Sequence, residues 1–272
     1  MLIDVLLDPF DTSWPAVLDA AEAAEASGFD GIWTWDHLAG EVHRARRVHE
    51  GWTLLTAIAA RTSRVTIGPL VLNVANRRPG VLAVMAATLQ DVAGGRLILG
   101  IGAGGGADSP YHREQAALGA EAAGAAARRR QVADTIAVCR QLWTGRSEPT
   151  DLATTALGDG VGFLVPDPPP PIVVGGFGPR MAELAGASGD GFNTQAGHPE
   201  LDRLIEIART AAAERSNGEG RPPFEVSGFA GLDPRWLDRA DGRFDRLILL
   251  HRPSEGTGPI ERLAAEAGLA DR

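Results

Sequence analysis

Gly94-Gly-Arg-Leu-Ile-Leu-Gly-Ile-Gly-Ala-Gly-Gly-Gly106 passes from a turn through an apolar run into open glycines. Leu97, Ile98 and Leu99 show no polar alternation. A short continuous apolar run between turn signals is how a strand buried on both faces reads, and parallel sheets under two layers of helix produce such strands. The glycines at 100, 102, 104, 105 and 106 follow. Lacking Cβ atoms, they let a backbone approach a ligand closely. A glycine loop at the carboxyl end of a buried parallel strand is where α/β folds hold phosphates and planar cofactors.

Gly100, Gly102 and Gly105 also fit the G-x-G-x-x-G dinucleotide pattern, which carries little weight alone in a chain with 34 glycines. That fingerprint needs a helix opening at once from the loop. Here Ala107-Asp-Ser-Pro-Tyr-His112 follows, and helical periodicity becomes convincing only near residue 125. A glycine-rich barrel loop reads at least as well as a Rossmann turn.

Outward from this point the chain alternates. Apolar β runs are expected at 2–7, 31–36, 65–72, 97–99, 172–174, 190–194, 224–229 and 246–250. Between them lie helical stretches. Pro15, Pro79, Pro179, Pro199, Pro234 and Pro259 stand near helix starts, where the missing N–H of proline costs nothing. Gly68-Pro69 interrupts the third run, and since proline cannot donate to a ladder a bulge is expected there. The segment 111–126 reads as part loop. The segment 145–171, rich in glycine and proline, reads as an extended surface excursion. Eight β segments alternating with helices favour right-handed parallel crossovers and closure into an α/β (β/α)8 TIM barrel. No composition shift marks a boundary, so residues 1–272 are read as a single domain.

With a formal net charge of −9 and no basic run longer than Arg128-Arg-Arg130, nucleic acid is not an expected partner. The one cysteine, Cys139, excludes an internal disulfide framework and suits a reducing cytoplasm; it falls in a helical apolar stripe and reads as core. The start carries no basic region ahead of an apolar run, no span is long enough for a bilayer, and a cytoplasmic protein is expected. The expected partners are a small-molecule substrate and a second copy of the chain in a homodimer.

Function in such a barrel collects at the carboxyl strand ends. The sequence places Asp8 there, then Asp36-His37, then Val71, Leu72 and Asn73, then Gly102-Ala-Gly104. Gly175-Gly-Phe-Gly178, Asn193-Thr-Gln195 and His251 follow. No zinc spacing, H-E-x-x-H, G-x-S-x-G or P-loop pattern is present, and no metal site is expected. Carboxylates and lysines for paired acid or Schiff-base chemistry are missing from these ends, Asp8 and Asp36 apart. A histidine, apolar walls and two glycine loops suit a planar cofactor that carries the hard chemistry itself. Gly175–Gly178, running into a helix at Pro179 with Arg180 beside it, suits a phosphate; an ordinary tight turn explains it equally well.

Several segments, in order, resemble the bacterial luciferase-like monooxygenase family. They are Gly31-Ile-Trp-Thr-Trp-Asp-His37, Arg78-Pro79 leading to Ala86-Ala-Thr-Leu89, Gly94–Gly104, Pro171–Arg180 and Gly189-Asp-Gly-Phe-Asn193. The resemblance implies a barrel that binds FMN or the deazaflavin F420 at its carboxyl face, F420 being preferred. It implies a non-prolyl cis peptide at Leu70–Val71, against the ring. The cofactor contacts it implies are Asp36, Leu70, Val71, Asn73, Gly102, Ala103, Gly104, Gly175, Gly176, Phe177, Gly178 and Arg180. His37, on the family's strand-two pair, is the implied catalytic residue; a capping or core histidine is the alternative. Sugar-phosphate dehydrogenases of the F420 branch carry a glutamate where this chain has Gly105, so that substrate is not expected. The excursion at 145–171 is short for the family, which implies a reduced lid.

The expected activity is hydride transfer between F420 or FMN and a small organic substrate, with oxygen as an optional co-substrate. Two alternatives stand beside it: a non-catalytic flavin-binding protein on the same barrel, and a NAD-dependent Rossmann dehydrogenase. The last requires the Gly100–Gly105 loop to open directly into a helix.

Overall fold

The computed structural model describes residues 1–121, 123–215, 222–240 and 242–269, so positions 122, 216–221, 241 and 270–272 of the expected single domain lie outside the described residues. The chain runs β1 (Leu2–Leu7), α1 (Trp14–Ala26), β2 (Gly31–Thr34) and α2 (Gly51–Ala59). Next comes β3 in two arms, Thr66–Pro69 and Leu72–Asn73, followed by α3 (Pro79–Val92). Then come β4 (Leu99–Gly102), α4 (Tyr111–Ala117), α5 (Ala125–Leu142), β5 (Ile172–Gly175), α6 (Pro179–Ser188) and β6 (Gly191–Gln195). The chain ends with α7 (Leu201–Glu214), β7 (Glu225–Gly231), α8 (Arg235–Ala240), β8 (Arg246–His251) and α9 (Gly258–Glu266).

Every barrel pairing is parallel. The order runs from the first arm of β3 through β2, β1, β8, β7, β6, β5 and β4 to the second arm of β3, so the ring closes on β3 itself. A parallel bridge between Ile67 and Leu97 completes the seam. This is the α/β TIM barrel the alternation predicts.

β3 splits where Gly68-Pro69 announces an irregularity, and the Leu70–Val71 peptide is cis, as the resemblance implies. Gly100 and Gly102 lie inside β4 rather than in the loop expected after it. The kink in β3 explains why they are glycines: a Cβ on Gly100 would sit 2.1 Å from the Pro69 carbonyl oxygen. β4 then passes through the loop 103–110 before α4 begins. The Rossmann alternative fails on both counts, a closed ring and no helix at the glycine turn. The segment 111–126, read as part loop, contains the helix α4.

Strand alternation sorts the core into two layers. Outward side chains such as Val5, Leu7, Ile32, Leu99 and Leu249 join the helices in one apolar cluster. Inward ones, Leu6, Trp33, Leu70, Ile98, Val173 and Ile248, fill the barrel's middle. Beneath them an ion pair plugs the amino end: Arg246 Nη1 donates to Asp4 Oδ2 at 2.5 Å, and Trp33 Nε1 donates to the same oxygen at 2.6 Å. Arg246 Nε also donates to Glu225 Oε1 at 2.8 Å. The plug closes one end of the barrel and leaves the carboxyl end for a cavity.

The excursion 145–171 forms two short antiparallel pairs, Arg146–Ser147 with Gly160–Val161 and Thr150–Asp151 with Ala156–Leu157. It follows the carboxyl end of α5 and leads to the amino end of β5, so it lies at the plugged end. Gln90 Nε2 holds its Pro168 carbonyl at 2.7 Å. The excursion contributes nothing to a lid over the cavity: none of its residues lines it.

Candidate active site

The carboxyl ends of the strands surround a cavity of about 1170 Å³. Its floor comes from the β3 kink. A Cβ on Gly102 would lie 2.6 Å from a Val71 methyl, and one on Gly175 would lie 2.9 Å from both Val71 methyls. Val71 therefore fits against β4 and β5 only because both positions are bare backbone. Leu70, Val71 and Ala103 make this shelf apolar. Gly104 has φ +62°, and a Cβ there would strike the Asn73 side chain at 2.4 Å. The loop after β4 thus folds tightly over the end of β3.

Asp36 fixes that end. Its carboxylate accepts from Asn73 N at 2.9 Å and takes both Arg77 Nη atoms at 2.8 Å. Arg77 also bonds Glu50 Oε1 at 2.5 Å. Both Asp36 oxygens are thereby engaged by the chain itself, although Asp36 stands in the cavity wall.

His37 follows Asp36 and leaves the strand end partly exposed at the rim. Its Nδ1 lies 3.1 Å from Glu114 Oε1 and 3.3 Å from Oε2. Glu114, on α4, is buried and also accepts from the backbone N–H groups of Leu38 and Ala39 at 2.9 and 3.3 Å. Burial alone pushes the Glu114 carboxyl up, but the His37 and backbone hydrogen bonds together outweigh it and hold the carboxyl below its ordinary range. On the other side, His43 Nε2 lies 3.4 Å from His37 Nε2. His43 stacks on Trp35 at 5.3 Å and 14°, and Phe10 and Tyr111 close the ring cluster.

The far wall carries cations. Arg128 Nη1 donates to the Gly104 carbonyl at 2.5 Å, and its Nε is buried without a partner. Arg129 and Arg180 line the same cavity. Gly176, Phe177 and Gly178 form the loop into α6, and nothing lies within 4 Å of a Cβ built on Gly178. That leaves open space at the first turn of a helix, where backbone N–H groups favour an anion.

Every residue expected to hold the cofactor or act in catalysis lines this one cavity: His37, Asp36, Leu70, Val71, Asn73, Gly102, Ala103, Gly104, Gly175, Gly176, Phe177, Gly178 and Arg180. Asn193 and Gln195 line it as well. Asp8, Leu72, Thr194 and His251, expected at strand ends, do not. Asp8 turns its carboxylate onto the Phe10 N–H at 3.0 Å. Leu72 packs outward with the helices. Leu250 faces the cavity, so strand alternation sends His251 to the opposite side. Sequence reasoning missed Glu114, His43, Tyr111, Arg128 and Arg129. The Glu at the start of an Ala-rich stretch and the basic run at 128–130 were the available signals.

The shelf, the cations and the open helix start thus line one cavity. The chain is also similar to known proteins. The sequence profile described as luciferase-like monooxygenase matches residues 6–235. An F420-dependent glucose-6-phosphate dehydrogenase of Microbacterium testaceum is 33% identical over 187 residues, covering 68% of this chain and 54% of the relative. A 5,10-methylenetetrahydromethanopterin reductase of Methanolobus tindarius is 29% identical over 211 residues, covering 77% of this chain and 59% of the relative. The alignments thus span little more than half the length of these curated relatives. Among solved structures, an F420-dependent secondary alcohol dehydrogenase superposes with a TM-score of 0.85 at 18% identity, covering 99% of this chain and 98% of that one. An F420-dependent tetrahydromethanopterin reductase from Methanopyrus kandleri superposes with a TM-score of 0.64 at 22% identity, covering 85% and 66%. At such identities the superpositions speak for the fold. The closed ring, the split third strand and a profile match along most of the sequence place the chain in the luciferase-like monooxygenase family.

Proposed function

We propose that the chain is a deazaflavin-dependent oxidoreductase that takes F420, with FMN as the second choice, and acts on a small organic substrate. The observation that carries this reading is the Val71 shelf laid over Gly102 and Gly175 beside His37. Its flat apolar surface fits one face of a tricyclic ring. Leu70, Val71, Ala103 and the β5 glycines would hold the ring. Asn73 and Asn193 would orient its polar edge, Asn193 being held by its own bond to Ser227 Oγ at 2.9 Å. Arg128, Arg129, Arg180 and the Gly176–Gly178 loop would take the phosphorylated tail. Asp36 would act through the shelf, by locking Asn73 and the turn after β3. When bound, such a group supplies the site's hydride donor or acceptor.

His37 would give or take the proton that accompanies the hydride. Glu114 holds the imidazole in place, and the rings of Phe10, Trp35 and Tyr111 pack around it. The similarity to relatives named as F420-dependent enzymes supports the choice of cofactor. By the resemblance, Gly105 stands where sugar-phosphate dehydrogenases of the family carry a glutamate, and a different substrate is proposed on that ground. A cytoplasmic location and a homodimer accompany this reading as expectations.

Titrating the purified chain separately with F420 and FMN, and following cofactor fluorescence, tests it. Saturable binding of F420 with weaker binding of FMN is expected; binding of neither overturns the reading. Once a substrate is found, His37→Asn should lower turnover by about 10²–10⁴-fold, the usual contribution of a positioned proton-transfer group, while leaving cofactor affinity intact. Unchanged turnover in that variant removes His37 from the mechanism.

A further inference from the structure

The cavity is divided in charge. The chain contains no lysine, so apart from histidine its cationic side chains are arginines. Among the described residues lining the cavity these are Arg128 and Arg129 on α5 and Arg180 on α6. All three come from the helices that follow β4 and β5, beside the Val71 shelf. The remaining arc of the ring, from β6 through β7 and β8 to β2, is different. Trp35, Phe229 and Leu250 line the cavity there and pack on the inner layer of the barrel. Trp236 of α8 stands against Gly197, 3.3 Å from where a Cβ on that glycine would lie. Phe177 reaches the same arc from the loop after β5, its ring 6.3 Å from that of Phe229. Gln195, exposed at the end of β6, adds a neutral amide.

The bases nearest this arc are turned to other partners. Arg252, directly after β8, lies 3.7 Å from Asp8 and 3.7 Å from Glu255. Arg239 lies over the Trp236 ring at 5.5 Å. Neither lines the cavity. His37, at the edge of the arc, has the Glu114 carboxylate behind it at 3.1 Å. An anionic group set here would give up its water against rings and find no arginine in exchange. A hydroxyl or carbonyl group loses far less and has His37 to bond. The cavity volume of about 1170 Å³ also exceeds the ~300–1,000 Å³ usual for one small-molecule site, so there is room for two occupants side by side.

We propose that the substrate is an uncharged alcohol or carbonyl compound with an apolar body, and that phosphorylated and carboxylated compounds are refused on this arc. Its oxygen points to His37, and its hydrocarbon part lies against Trp35, Phe229 and Leu250. This deepens the functional reading above and rests on it for the reaction. The refusal comes from charge rather than from shape, so one added base on the arc should relax it. Phe229 and Gln195 are then the specificity-determining positions: the first supplies wall, and the second stands where a cation would have to be.

The test uses the full chain without cofactor, in phosphate buffer, so that inorganic phosphate covers the three arginines. Cyclohexanol and cyclohexanecarboxylate share one ring and differ in charge, and saturation-transfer NMR reads the affinity of each. The alcohol should bind at least about tenfold more tightly than the carboxylate, the low end of what an unpaired charge loses against an apolar wall. Phe229→Ala should weaken the alcohol about fivefold through the apolar area removed. Trp236→Ala serves if that variant does not fold, with circular dichroism as the check. Gln195→Lys, at an exposed position, should tighten the carboxylate about fivefold and leave the alcohol nearly unchanged. Equal or tighter binding of the carboxylate to the unaltered chain, binding of neither compound, or an alcohol affinity untouched by both wall variants overturns the proposal. If these results hold and the chain binds neither F420 nor FMN, the functional reading falls alone.

Discussion

Arg77 lays both terminal nitrogens on the carboxylate of Asp36, each at 2.8 Å, in a pairing that buries the acid completely and the base almost completely. The pair spans the ends of β2 and β3 and holds the chain that supplies Leu70, Val71 and Asn73. Removing one partner leaves the other charge buried. Arg77→Ala should therefore destabilise the chain by about 3–5 kcal/mol, and Asp36→Asn by less, since its amide still accepts from Asn73 N. Urea unfolding followed by circular dichroism reads both; equal stabilities for Arg77→Ala and the parent chain would contradict the role given to the pair.

The shelf is tested by filling it. Gly102→Ala puts a methyl 2.6 Å from Val71, a distance that forces the kink to move. Overpacking of this kind costs about 1–3 kcal/mol. Cofactor affinity should fall with it, because the face that receives the ring is displaced. Pairing Gly102→Ala with Val71→Ala should restore most of the stability. Thermal melts and a fluorescence titration of the two variants separate the effects.

Acid should weaken the molecule partly through Glu114. Its folded carboxyl sits below the ordinary value of 4.5, so in the acid range the unfolded chain binds more protons at this group than the folded one. Stability from this group is complete above that ordinary value and is lost as pH falls through the depressed folded value. Glu114→Gln should flatten the acid limb of a stability-against-pH curve. An unaltered acid limb in the variant would show that the hydrogen bonds from His37, Leu38 and Ala39 contribute nothing of this kind.

Cys139 should resist thiol reagents. It is fully buried on α5, and burial pushes its thiol up to about 12. Almost no thiolate forms at neutral pH, and the thiolate is the reactive species. Ellman's reagent should label the chain only as fast as it unfolds; rapid labelling under native conditions would place the side chain elsewhere.

Much of this architecture is legible along the chain because each barrel unit announces itself locally. Apolar runs such as Ile172-Val-Val174 end in glycine, and prolines such as Pro79 and Pro179 mark the helix starts that follow. The kink after Gly68-Pro69 could be expected for the same reason, since proline breaks a ladder wherever it falls. Glu114 could not be read this way. It lies 77 positions from His37, in an Ala-rich segment without a clear stripe, and its meaning comes only from the ring bringing α4 over the end of β2. Arg128 belongs to a basic run weighed only for nucleic-acid binding, yet the fold turns one member inward to the Gly104 carbonyl. His251 erred the other way: a strand end is a promising address, but alternation decides which of two adjacent side chains occupies it.

The excursion at 145–171 hangs from the plugged end, away from every group that would meet a ligand. In the turn joining Ala156–Leu157 to Gly160–Val161 a side chain built on Gly158 would meet open space and Val161 is 85% exposed, while Ser147 Oγ anchors the Gly158 carbonyl at 2.7 Å. Exposed loop tips of this sort accept added sequence readily. An affinity tag, a dye or a surface tether grafted between Gly158 and Gly160 would report on or immobilise the molecule while its working face stays untouched.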